Sequence, residues 1–344
     1  MPLAQFLRKH GIKVVLVNPH HVKKSKELDD NSPTKNDKKD AAVIARLIKD
    51  GRYTEPHLPT DIYAELRVAM VQRNRLIGDL NRVKGRIHNW LDRFFPEYIQ
   101  VFKDWEGKAS LLTLKKFPFP QDVVNMSPDE IVAVWKTAVK RAVGRKRADC
   151  LIHHAKQSIG LTEGIESGRF ELKILLEQYE MLCRQMEDLM QRIQQLLEQI
   201  PGTKEMMTVP GVGWVTVAGF LAEVGDLSSY EDGRQIIRFA GLNLKENSSG
   251  KHKGKTRITK RGRPRLRSLL FKCAMVLVAK NEQLKTLHQY LTTRPQNPLK
   301  KKQSIIAICG KIVRILFCLG RKRLSYDAQE VLSSIRKNML QNAA

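Results

Sequence analysis

The stretches TVPGVGWVTVAGFLAEVGD (208–226) and LNLKENSSGKHKGKTRITKRGRPRLRSLL (242–270) decide how this chain is read. They give a tight turn at Pro210–Gly213, an apolar helix, a loop with Ser248, Ser249 and Gly250, and a basic run. No acidic residue lies between Glu246 and Glu282, while Lys251, Lys253, Lys255, Arg257, Lys260, Arg261, Arg263, Arg265 and Arg267 crowd one segment. Cations at this density repel one another unless a polyanion lies among them, which points to nucleic acid.

Each element also has a plain reading. Gly211 and Gly213 let the backbone approach another backbone, and the helix that follows offers free N–H groups to an anion, as in a helix-hairpin-helix contact with a DNA phosphate. A Pro-Gly-x-Gly turn is also an ordinary connection between helices. Ser-Ser-Gly is common loop composition. A serine beside several cations nevertheless sits in a field that favours its alkoxide and the charge developing on a phosphoryl group. The phosphate-contact candidates are Gly211, Gly213, Lys251, Lys253, Lys255, Arg257, Lys260, Arg261 and Arg263.

Downstream, a helix is expected from Pro264, and an apolar helix over Ile305–Leu319. Upstream, Tyr230–Gly241 reads as a short helix with a glycine cap. Two segments repeat apolar residues in steps of three and four: Ala64–Phe95 and Phe170–Ile200. Both are read as coiled-coil seams, paired as an antiparallel hairpin or with a second copy of the chain. The first carries a mostly basic outer face. Between them, residues 96–165 yield only connecting helices, among them Pro128–Val143.

At the start, residues 3–10 read as a helix and Ile12–Val17 as a buried strand, a fragment of an α/β layer. A polar connection over His20–Thr34 and a helix over Asp37–Asp50 follow. Asp37 and Asp40 stand three apart, on one face of that helix's first turn. Such acids serve as caps and dipole partners; on a rigid element they can also hold a hard divalent cation. Spacing alone favours the cap.

The 344 residues suffice for several domains, and the formal charge of +26 makes a polyanion, above all nucleic acid, the expected partner. No apolar run approaches the roughly 20 residues that span a bilayer, and Met1–His10 does not read as a signal peptide, so a cytoplasmic protein without membrane partners is expected. The five cysteines have no metal-ligand spacing and read as reduced core thiols.

Val209–Gly213, Ala222–Asp226, Phe239–Leu242, Ser249-Gly250 and Ile258–Gly262, followed by a leucine-bearing helix, together resemble the C-terminal domain of the DEDD transposases of the insertion sequence 110/1111 type. Val17–Pro19 and Lys35–Ala41 resemble the second half of that family's RuvC-like nuclease domain. The resemblance implies a mostly α chain with a partial α/β, RuvC-like (RNase H-like) domain at 1–60, a coiled-coil region at 61–200, a C-terminal transposase domain at 201–330 and a tail at 331–344. It implies a site-specific recombinase that moves its own element, holding Mg²⁺ through four acids. Asp37 and Asp40 match the last two of these, and Ser249 matches the serine that attacks DNA better than Ser248 does. It also implies guidance by a structured RNA and assembly into dimers or tetramers through the coiled coil.

In the family the first two acids precede a helix like Leu3–His10, so both are expected to lack a counterpart here. Two outcomes follow: a reading frame that continues upstream of Met1, or a remnant that binds nucleic acid without cutting it.

Overall fold

The computed structural model describes residues 2–30, 37–56, 60–139, 144–245, 248–249, 252–254 and 256–330. It is mostly helical and divides into two compact units, Met1–Ala64 and Glu65–Ala344.

The first unit contains α1 (Pro2–Lys9), α2 (Pro19–Asp30) and α3 (Asp37–Lys49). The strand expected over Ile12–Val17 is reduced to one antiparallel bridge, Leu16 with Thr54, closed by hydrogen bonds of 2.7 and 2.9 Å. Among the described residues of this unit no second strand extends the ladder, and Ile12 and Leu16 stay exposed. An isolated pairing of this kind cannot bury a strand face. The polar connection expected from His20 is instead α2. Asn18 Oδ1 accepts the His20 N–H at 3.0 Å, with Pro19 at the first helical position. Periodicity could not reveal α2, because its apolar residues are too few to form a stripe. α3 turns Val43 and Leu47 inward and packs on α2.

The second unit is built on two long helices, α4 (Asp61–Phe94), which begins just before it, and α10 (Ile165–Glu198). Trp90 Nε1–H donates to Gly168 O at 2.8 Å, Arg93 pairs with Glu171 at 2.7 Å, and Arg73 Nε reaches Met190 Sδ at 3.2 Å. Residue numbers fall along one helix as they rise along the other, so the two are antiparallel within one chain. Their apolar residues Leu76, Val83, Ile87, Leu91, Leu172, Leu175, Tyr179 and Leu182 are buried in a common core.

Over this pair lie α5 (Tyr98–Val101), α6 (Lys108–Lys116), α7 (Pro120–Val124), α8 (Pro128–Lys136) and α9 (Arg145–Lys156). The segment that periodicity left blank thus supplies much of the core. Trp90, Phe94, Phe102, Trp105, Phe119, Trp135 and Tyr179 meet edge to face or tilted, as in Trp90–Phe119 (5.1 Å) and Phe102–Trp135 (5.7 Å). Their polar tips are satisfied: Trp135 Nε1–H donates to Thr113 Oγ1 at 2.8 Å, and Tyr98 O–H to Ser110 O at 2.8 Å.

Beyond these come α11 (Thr203–Met207), α12 (Trp214–Val224), a 3-10 turn at Leu227–Ser229, α13 (Gly233–Phe239), short strands β1 (Leu244–Lys245), β2 (Ser248–Ser249), β3 (His252–Lys253) and β4 (Arg257–Ile258), then α14 (Pro264–Lys280), α15 (Glu282–Thr293) and α16 (Lys301–Lys322). α16 is long and apolar enough to cross a membrane by length and composition. Here it is a core helix, burying Ile305, Ile308, Ile312, Val313, Leu316 and Leu319 and packing on α11, α13, α14 and α15. All five cysteines are free; only Cys273 and Cys309 are buried, and burial pushes their thiols up to about 11 and about 12.

Trp90→Ala should cost about 3–5 kcal/mol by emptying the centre of the aromatic core. Trp90→Phe keeps most of the packing and leaves the Gly168 carbonyl without its donor, at about 1–3 kcal/mol. Urea unfolding followed by tryptophan-independent circular dichroism measures both as shifts in midpoint.

Candidate functional site

The loop expected after Leu242 is a two-stranded arm. Leu244 pairs with Ile258 and Lys245 with Arg257; further out, Ser248 pairs with Lys253 and Ser249 with His252. Ser249 therefore lies in the last pair, two residues from its partner strand.

Backbone contacts lock the base of this arm. Thr259 N–H donates to Asn243 O at 2.7 Å, Lys260 N–H to Gly241 O at 3.0 Å and Arg263 N–H to Phe239 O at 2.8 Å. Arg267 Nη1 adds a bond to Ala240 O at 2.8 Å. Gly241 has φ 69° and Gly262 φ 154°; a Cβ on Gly262 would lie 2.4 Å from Phe239 O. Only glycine can hold that conformation at that approach. Two of the sequence segments singled out above, Phe239–Gly241 and Lys260–Gly262, are thus the facing halves of one clasp.

Lys245, Arg257, Lys260, Arg261 and Arg265 are exposed around the arm and its base. Lys253 lies in β3, whereas Lys251 and Lys255 fall outside the described residues. Arg263 differs from the exposed cations. Its Nη1 is 3.2 Å from Glu223 Oε2, with the side chains 20 % and 12 % exposed, and its guanidinium stacks 4.7 Å from the Phe239 ring centroid. It braces α12 against the clasp, a structural duty not foreseen for a phosphate contact.

Arg67 of α4 joins this group. Burial, then repulsion from Arg263 and Arg265, hold its guanidinium below the usual arginine range, while Glu223 acts in the opposite sense. The surroundings of Arg67 are therefore net positive and partly desolvated. Sequence reasoning saw Arg67 only as one cation on a basic helix face. Its place depends on α4 meeting α12, where Met70 Cε comes within 3.4 Å of the Cβ position of Gly219.

The two glycines of the turn have different surroundings. Gly211 (φ 94°) packs on α14, where an added Cβ would be 2.9 Å from Leu277 Cδ2, and Asn281 Nδ2 donates to Pro210 O at 3.4 Å. Internal packing accounts for Gly211. Gly213 is exposed at the start of α12, with nothing within 4 Å of its Cβ position.

Asp37 and Asp40 open α3 in the first unit. Asp37 is exposed. Asp40 forms an ion pair with Lys26 of α2, and its Oδ1 is buried with no hydrogen-bond partner among the described residues. Hard carboxylate oxygens suit a divalent cation such as Mg²⁺ in chemistry. In number they fall short, for among the described residues no three His, Cys, Asp or Glu side chains are grouped as a metal site.

Two family models match the chain, together over more than half of its length. A transposase model of the DEDD type of IS110 matches residues 1–96, and the model described as the transposase IS116/IS110/IS902 family matches residues 203–289. An uncharacterised protein of insertion element IS116 from Streptomyces clavuligerus is 26% identical over 86% of this chain and 74% of its own length. The mini-circle putative transposase for IS117 of Streptomyces coelicolor is 23% identical over 72% of this chain and 62% of its own. A pilin gene-inverting protein of Moraxella bovis is 30% identical over 36% of this chain and 38% of its own.

Gly262→Ala should open the clasp, at a cost of about 1–3 kcal/mol for a side chain forced into a glycine-only conformation. Amide exchange at Lys260 and Arg263 should accelerate while α4 and α10 retain their protection; unchanged exchange at these two amides would refute the clasp.

Proposed function

Because the chain belongs to the IS116/IS110/IS902 family of transposases, we propose that it is a DNA recombinase that moves its own insertion sequence, with Ser249 as nucleophile and Asp37 and Asp40 as part of a Mg²⁺ site. The observation that carries the reading is the arm: a locked base presents Ser249 in its outermost pair, with cations on both strands.

The reaction is a transesterification. The Ser249 oxygen attacks a DNA phosphorus, a P–O bond to serine forms, and the bond to one DNA oxygen breaks. The serine hydrogen ends on the released DNA hydroxyl. Fixed positive charge from Lys245, Arg257, Lys260 and Arg261 offsets the charge that grows on the phosphoryl oxygens. A divalent cation such as Mg²⁺, when bound, would supply Lewis-acid neutralisation of phosphoryl oxygens. Asp37 and Asp40 would hold it as two ligands of a RuvC-like set, and the layout that goes with this reading is 1–60 nuclease, 61–200 helical region and 201–330 transposase domain.

A structured guide RNA belongs to the same proposal, with Arg75 and Arg86 of α4 exposed as phosphate contacts. So does assembly into a dimer or tetramer. The chain's own core covers much of the α4 and α10 seams, so the exposed apolar residues Phe170, Ile174 and Met181 of α10 are the surface available to a second copy.

Ser249→Ala should abolish covalent protein–DNA attachment, read as a loss of the slow-migrating denatured species, and leave DNA binding unchanged. If attachment persists in Ser249→Ala and disappears in Ser248→Ala, the nucleophile moves by one residue. Binding should weaken steeply with salt, with a log–log slope of about −0.9 per phosphate contact; a flat dependence would refute phosphate tracking by the basic run.

A further inference from the structure

We propose that Arg67 and Arg265 seat a backbone phosphate of the DNA strand at the base of the arm, so that α4 and the C-terminal platform grip the strand together. The inference rests on the reading that the arm faces DNA, and it holds whichever serine attacks.

Arg67 lies one turn before Met70 on α4, and Met70 Cε is 3.4 Å from the Cβ position of Gly219, one turn before Glu223 on α12. This contact brings Arg67 into the neighbourhood of Glu223, while Arg263 bonds that carboxylate at 3.2 Å. Arg263 is thereby engaged, by Glu223 and by the Phe239 ring. Arg67 is not: it is half-buried, and among the described residues no hydrogen bond or ion pair holds its guanidinium. Arg265 is exposed in the first turn of α14, directly after the clasp, where the positive end of that helix adds to its charge.

In the free protein the setting of Arg67 is unfavourable. Burial strips water from it, Arg263 and Arg265 repel it, and Glu223, already bonded to Arg263, offsets this only in part. A planar fork of five donors, half-desolvated and without an acceptor, suits the paired oxygens of a phosphate. The base of the arm at Asn243 is six residues from Ser249, at most about 20 Å of extended chain, so a DNA strand held at the tip runs within reach of the base.

The test uses the full chain and a fluorescein-labelled DNA duplex of mixed sequence, with affinity read by anisotropy over a salt series and stability by thermal melting without DNA. Arg67→Met should bind about tenfold more weakly at low salt and lower the log–log salt slope by about 0.9, the loss of one phosphate contact. It should melt at or above the wild-type temperature, because an uncompensated charge is gone. Arg67→Lys keeps the charge without the fork and should recover the slope with only part of the affinity. Arg265→Met, at an exposed position, should reproduce the loss and carries the test if Arg67→Met does not fold. The double variant should lose less than the sum of the two, since both residues hold one phosphate. Lys146→Met removes one exposed charge from α9, which packs on α5, α7 and α8, and should bind as wild type does.

A lower melting temperature in Arg67→Met with an unchanged salt slope makes Arg67 a packing residue and overturns the seat. Additive losses in the double variant overturn the shared phosphate, and the same loss in Lys146→Met reduces the effect to net charge. A slope change seen with a single-stranded RNA of the same sequence and absent with the DNA duplex overturns DNA as the occupant. Wild-type DNA binding that ignores salt sinks the reading of the arm itself, an outcome separate from failure at Arg67 alone.

Discussion

Two short backbone segments, Phe239–Gly241 and Lys260–Arg263, hydrogen-bond to each other at van der Waals closeness, and the geometry of the candidate site descends from that contact. It joins the end of α13 to the start of α14, with the short paired strands β1–β4 between them. With side chains larger than hydrogen at Gly241 or Gly262 the segments could not meet, and the register of the arm would have no fixed origin. Arg263 and Arg267 reinforce the contact from the side by bonding to Glu223 and to the Ala240 carbonyl. The same arginines that look like DNA ligands in the sequence therefore divide their work, some bracing the platform and others left free to face an anion.

Charge explains why the platform needs bracing. Arg263 is bonded to Glu223, and Arg67, partly buried, feels the like charge of Arg263 and Arg265 against the opposing charge of that carboxylate. A cluster of this kind stores unfavourable electrostatic energy in the free protein, and a phosphate nearby would relieve it. Stability and affinity are thus coupled: the residues that strain the uncomplexed fold are those whose strain a polyanion removes.

How much of this could be read in the sequence depended on whether the signal was local. α3, α4, α10 and α14 stood out because their apolar spacing is periodic and their ends have identifiable caps or breakers. The antiparallel union of α4 and α10 was one of two open choices; it is decided by contacts such as Trp90 with Gly168, separated by 78 residues. Of the helices of 96–156 only α8 was read individually, and the others escaped for the opposite reason. They are short, and their aromatic residues bury through mutual ring packing, which has no linear period. α2 was missed because a helix capped by Asn18 and rich in charge lacks an apolar stripe, and the strand at Ile12–Val17 was overcalled because β-branched composition does not by itself provide a partner. In the candidate site, composition put Ser249 and the exposed cations forward as candidates. Arg67 was not among them, since its setting comes from residues far away in sequence, Glu223, Arg263 and Arg265.

The arm itself sets a further constraint. Leu244, Lys245 and Arg257 are exposed, and two-residue ladders bury little apolar surface, so neither hydrophobic gain nor hydrogen-bond count holds the outer pairs as firmly as the base. Attack on a phosphodiester requires the reacting oxygen to be placed to within a fraction of an ångström. The locked base fixes direction, but precision at Ser249 has to come from what the arm grips, and the cations flanking the serine are the groups suited to grip a phosphate. Under the proposal that Ser249 attacks DNA, the substrate would complete the geometry that acts on it, and reactivity would be confined to the assembled complex.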